Sequence, residues 1–125
     1  MSVVEEKDNM REYTEYEIVI LKRVVADYNS LAKEVREKIN NGATYEDLRE
    51  YIKSLDNCNL TNQEEEYTDF NYKDMTLSIY NDEVFGLYLG ETIEVWNDKE
   101  YAYLDCFDNV KQIEKEIENY ENKLK

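Results

Sequence analysis

Thirty carboxylates, two thiols and no histidine define the chemistry open to this 125-residue chain. The missing imidazole removes the usual general base, the commonest metal ligand and every Ser-His or Cys-His nucleophile pairing. Cys58 and Cys106 stand 48 positions apart, outside any metal or redox spacing, and read as two free thiols of a reducing compartment rather than a disulfide. No Gly-rich phosphate loop is present. The run from Asp56 to Tyr67 lacks the Asp or Asn at its third and fifth positions, the sixth-position Gly and the closing Glu of a calcium loop. Carboxylate pairs at a separation suited to glycoside hydrolysis arise in any chain this acidic and so single out nothing. The expectation is a protein that is not an enzyme, with no metal and no cofactor.

What remains is charge, and it is unevenly placed. The formal net charge is −15, yet residues 1–42 hold nine acids against seven bases and residues 109–125 hold four of each. From Asp56 to Asp108 there are fourteen acids and only two cations, Lys73 and Lys99. Clustered like charge costs stability through self-repulsion, which points to a use for it. An acidic surface repels nucleic acid and anionic membrane, so neither is an expected partner, whereas a basic protein surface is its complement. Aromatic residues are interleaved with the acids, and tyrosine beside carboxylate is the composition of a protein interface. The candidate partner-binding residues are Glu64, Glu65, Glu66, Asp69, Asp74, Asp82, Glu83, Glu91, Glu94, Asp98 and Glu100, with Tyr67 and Tyr101. The competing reading is that the acids serve solubility alone.

The elements that must position these residues follow from hydrophobic period. Thr14, Ile18, Leu21, Val25, Tyr28, Ala32, Val35 and Ile39 recur at spacings of four and three, widened by Val24 and Leu31, and predict one long helix. Asn40-Asn41-Gly42 stops it. Thr44 and Asp47 form a capping-box pattern ahead of a short second helix bearing Leu48, Tyr51, Ile52 and Leu55. Asp56 to Glu66 is polar and without period, the signature of a loop.

Beyond it the period drops to two. Met75, Leu77 and Ile79 alternate with Thr76, Ser78 and Tyr80, and the segments 84–89, 92–96 and 101–106 follow with turns at Asn81-Asp82, Gly90-Glu91 and Asn97 to Glu100. Tyr67 to Tyr72 adds an edge strand. A last helix, capped at Asp105 or Asp108, carries Val110, Ile113, Ile117, Tyr120 and Leu124. The expected fold is a single α+β domain over residues 1–125. It has a long N-terminal helix, a short second helix, a three- to five-stranded antiparallel meander, and a C-terminal helix packed on the sheet or on the first helix. No basic stretch precedes an apolar run and no long apolar segment occurs, so a cytoplasmic setting is expected, and the abundance of Asn, Lys, Ile, Tyr and Glu with no Pro or His suits an AT-rich coding sequence such as that of a low-GC bacterial host or its phage.

The stretches Glu64-Glu65-Glu66-Tyr67-Thr68-Asp69-Phe70 and Asn97-Asp98-Lys99-Glu100-Tyr101, set in a short acidic α+β chain, resemble the phage-encoded inhibitors that imitate DNA, including anti-CRISPR and anti-restriction proteins. The resemblance lies in composition. It implies carboxylates standing where DNA phosphates would lie, competing for the Lys/Arg groove of a nucleic-acid-binding protein or protein–RNA complex. The leading expectation is therefore an inhibitory binding module, monomeric or homodimeric. The alternative is an assembly protein that oligomerises through the heptad-like stripes of its first and last helices.

Overall fold

The computed structural model describes residues 12–81, 87–89, 92–97, 99 and 102–125, with 87–89 described by their backbone. Helix α1 spans Glu15–Asn40, α2 Tyr45–Lys53 and α3 Val110–Lys123. The strands are β1 Cys58–Gln63, β2 Tyr67–Tyr72, β3 Met75–Asn81, β4 Leu87–Leu89, β5 Ile93–Asn97 and β6 Ala102–Phe107. This is the α+β arrangement expected, with a long helix, a short helix, an antiparallel sheet and a C-terminal helix.

Each helix starts on a side-chain cap. Thr14 is the N-cap of α1: its hydroxyl accepts from the Glu17 amide at 3.2 Å, and its own amide donates to Glu17 Oε1 at 2.9 Å. It is exposed rather than on the buried stripe, because a cap side chain must turn back on its own helix. Thr44 and Asp47 make the same reciprocal pair at the start of α2. Helix α3 is capped by Asn109, whose Oδ1 accepts from the Gln112 amide at 3.1 Å, and not by Asp105, which lies within β6, or Asp108. The end of α1 is closed at Asn41, and Gly42 follows with φ of +91°, a conformation that glycine adopts without steric cost.

The sheet is antiparallel and has five positions across, filled in chain order. β1, β2, β3, β5 and β6 pair in turn, and β4 lies on the same edge of β3 as β5. Ile79 pairs with Leu89 and Thr76 with Glu94, so three steps along β3 are matched by five along the partner. Of the segments 84–89 and 92–96, read as strands joined by a turn, the described parts Leu87–Leu89 and Ile93–Asn97 both pair with β3, while 84–86 and the turn at Gly90-Glu91 lie outside the described residues. The stretch read as a loop after Asp56 is instead largely β1. Only Cys58 and Leu60 face the core there, because an edge strand over a small sheet needs little apolar content. Tyr67 to Tyr72 is consequently an interior strand.

The alternation in β3 is complete: Met75, Leu77 and Ile79 are buried while Thr76, Ser78 and Tyr80 are not. With Phe70, Ile93, Val95 and Phe107 they form one cluster with α1, α2 and Ile113 of α3. All three helices therefore cover one face of the sheet. Helix α1 meets both the sheet and α3, which buries a wider sector than a single stripe and takes in Ile20, fully buried although off the predicted row. The stripes of α1 and α3 are thus largely consumed within one chain.

Two ion pairs fasten α1 to the β2–β3 turn. Arg23 Nε and Nη2 each lie 2.8 Å from Asp74 Oδ2, and Lys73 Nζ lies 3.1 Å from Asp27 Oδ1. Lys73 adopts φ of +53°, normally glycine or asparagine territory in a hairpin turn. Its amide donates to the Asn57 carbonyl at 3.0 Å, so the strained position is tied at both ends. Asp74 has only 8% of its side chain exposed, and removing the guanidinium takes a bidentate counter-charge from a buried carboxylate. Arg23→Met is therefore expected to cost about 3 kcal/mol in chemical denaturation, most of which returns in the double variant Arg23→Met/Asp74→Leu. A single variant as stable as the parent would show that this clamp does not hold the helix.

Candidate protein-interaction surface

Two regions bring candidate residues together. The first is the three-residue connection between β1 and β2, Glu64, Glu65 and Glu66, all exposed. Its backbone is pinned from three directions. The Glu64 amide donates to the Tyr67 carbonyl at 2.8 Å, the Asn81 amide to the Glu66 carbonyl at 2.8 Å, and Tyr45 Oη to the Glu64 carbonyl at 2.9 Å. Tyr45 is buried and also shares a 2.6 Å hydrogen bond with the buried Thr68 hydroxyl, a satisfied polar pair inside the core. The turn is thus built on a rigid base while its carboxylates point to solvent.

One described cation, Arg49, touches the backbone of this turn but not its carboxylates. Arg49 pairs with Glu46, stacks over the Tyr45 ring at 5.1 Å with 15% of its side chain exposed, and donates from Nη1 to the Glu64 backbone carbonyl at 3.5 Å rather than to a carboxylate of the turn. Among the described residues no cation pairs with Glu64, Glu65 or Glu66. Of the two cations in the acidic third, Lys73 is held by Asp27, and that hydrogen bond raises its pKa above the usual lysine value.

The second region is the sheet face turned away from the helices. Beyond the Trp96–Tyr103 pair at one end, register places its side chains in three further rows across the strands. Asn59, Asn71, Thr76, Glu94 and Cys106 form one; Asn62, Asp69 and Ser78 the next; Tyr67 and Tyr80 the third. Cross-strand hydrogen bonds hold the rows. Thr76 Oγ1 donates to Asn71 Oδ1 at 3.0 Å, the Ser78 hydroxyl donates to Asp69 Oδ1, and Asn62 Nδ2 donates to Tyr67 Oη at 3.0 Å. The Tyr67 and Tyr80 rings lie 6.1 Å apart, tilted by 37°. At the far side the Tyr103 hydroxyl is pushed up to about 12, by local desolvation first and then by the Cys106 thiol and the Glu94 and Asp105 carboxylates.

The predicted site residues therefore part company. Glu64, Glu65 and Glu66 share the turn. Tyr67, Asp69 and Glu94 share the open face, where the described acids are only Asp69 and Glu94, so that face is largely neutral and polar rather than a carboxylate field. Asp74 is buried under Arg23 and is removed from the surface, because sequence reports its charge but not the helix laid across it. Asp82, Glu83, Glu91, Asp98, Glu100 and Tyr101 lie outside the described residues. Asn62, Asn71, Thr76, Ser78 and Tyr80 were not singled out. Their signal was the polar half of the β3 alternation and its partners across the strands.

No family model matches this chain, and neither the curated proteins nor the solved structures contain a match to it. No group of three or more potential metal-ligating side chains comes together among the described residues. No helix among them is long and apolar enough to cross a membrane.

The two thiols sit at opposite edges of the sheet, on β1 and β6, and both are free. Cys58 packs against the core, and burial pushes its thiol up to about 11 from 9.0, while Cys106 is exposed. Thiolate is the reactive form. At pH 8 a maleimide should add once per native chain, at Cys106, with Cys58 following only on denaturation. Mass spectrometry of the peptides checks this, and equal labelling rates would contradict it. The sign for stability follows. Cys58 keeps its proton longer folded than unfolded, so its contribution is intact below pH 9 and is lost as pH rises towards 11.

Proposed function

We propose that this protein is a non-catalytic binding module that docks on a basic protein surface, most simply the nucleic-acid-binding groove of a nuclease or defence complex in a bacterial cytoplasm, and inhibits it by occupying that groove. The observation that carries the reading is the Glu64–Glu66 turn: three consecutive exposed carboxylates on a pinned backbone, with no pairing cation among the described residues. Rigid placement lowers the entropy lost on docking, and fixed negative charge steers a cationic partner and sets its register. In the proposed mode these three carboxylates would stand where phosphates of the displaced nucleic acid lie, as in DNA-mimicking inhibitors. The assembly reading has less support, since most apolar residues of the α1 stripe, and Ile113 of α3, are buried inside the chain.

The test uses the intact protein as bait in bacterial lysate at low salt. The expected result is capture of a nucleic-acid-binding protein that elutes on a salt step and whose nucleic-acid binding falls when the bait is added back. Glu64→Lys/Glu65→Lys/Glu66→Lys should weaken the purified complex by about tenfold or more, chiefly through slower association. Affinity indifferent to both salt and charge reversal would overturn the reading.

A further inference from the structure

The open face of the sheet differs in kind from the glutamate turn. The turn offers bare charge. The open face offers two tyrosine rings side by side, rows of Asn, Ser and Thr already bonded to one another, and two carboxylates, Asp69 and Glu94, with no cation in any of the three rows. Asp69 is oriented by the Ser78 hydroxyl and Tyr67 by the Asn62 amide, so the groups that would meet a ligand are held before it arrives. Among the described residues the helices all lie on the other side.

That combination discriminates between cations. A lysine ammonium is a strongly hydrated point charge, satisfied by any carboxylate. A guanidinium is planar, stacks on a tyrosine face and bonds a carboxylate through two parallel N–H groups. Asp69 and Glu94 sit two strands and one row apart, about 12 Å between Cα atoms from ordinary strand spacings. Residues four apart on one side of an extended chain span about 13 Å.

We propose that this face binds an extended, arginine-bearing segment of a protein partner, with arginines four positions apart reaching Asp69 and Glu94 and one of them lying over the Tyr67–Tyr80 pair. The proposal rests on the reading of the chain as a module for basic surfaces, and adds which cation it selects and where.

The probe is a synthetic peptide with Arg at positions i and i+4 in a neutral polar background, compared with its Lys counterpart by titration calorimetry at physiological salt. The arginine peptide should bind about fivefold or more tightly. In spectra of the parent protein it should shift amides of β2, β3 and β5. Glu94→Gln, at an exposed position, should weaken the arginine peptide, and Tyr67→Thr should erase the preference. Reversing Glu64–Glu66 should lower both affinities alike and leave their ratio. Equal binding of the two peptides, absence of binding, or shifts confined to the helices or to the Glu64–Glu66 turn would overturn the assignment of this face. If a salt-sensitive partner is still captured from lysate, the broader reading survives that result; if none is, both fall.

Discussion

A strand has two faces, and β3 has aliphatic residues on only one of them. Met75, Leu77 and Ile79 point one way along β3 while Thr76, Ser78 and Tyr80 point the other, and the neighbouring strands keep the same division. All the helical surface must gather on the apolar side, because burial of Phe70, Ile79, Val95 and their neighbours is the main favourable term available. Among the described residues no helix lies on the polar side. Its order comes instead from hydrogen bonds between neighbouring strands, which fix side chains without hiding them.

The placement of charge follows from this division. The helices carry acids and bases in near balance and use several in pairs, including Lys22 with Glu121 and Arg23 with Asp74. The sheet has few cations to set against its acids, and one of those is turned back to Asp27. Among the described residues, negative charge therefore remains exposed at the Glu64–Glu66 connection, where water screens it. Asp74 shows the limit of the pattern, since a carboxylate at another connection is drawn under α1 by a guanidinium.

Much of the architecture was legible in the sequence, because helical period, capping boxes and strict alternation are local signals. Thr44 with Asp47 and the run from Met75 to Tyr80 are plain examples. β1 was hidden because Asn, Thr and Gln dominate it, and only its pairing with Tyr67–Tyr72 makes it a strand. Asn109 and Asp108 are equivalent as caps on paper, and the choice rests on where β6 ends. Candidate residues chosen by charge included Asp74, whose burial depends on a helix fifty residues earlier, and passed over Ser78 and Asn62, whose importance arises from neighbours across the sheet. Long-range placement is the part that local pattern does not encode.

The shared edge of β3 has a mechanical consequence. β4 is held by three pairings to the far half of β3, whereas β5 is anchored on both sides, by β3 and by β6. The strand β3 is therefore the one on which both neighbours along that edge depend, and a break in its far half would release β4.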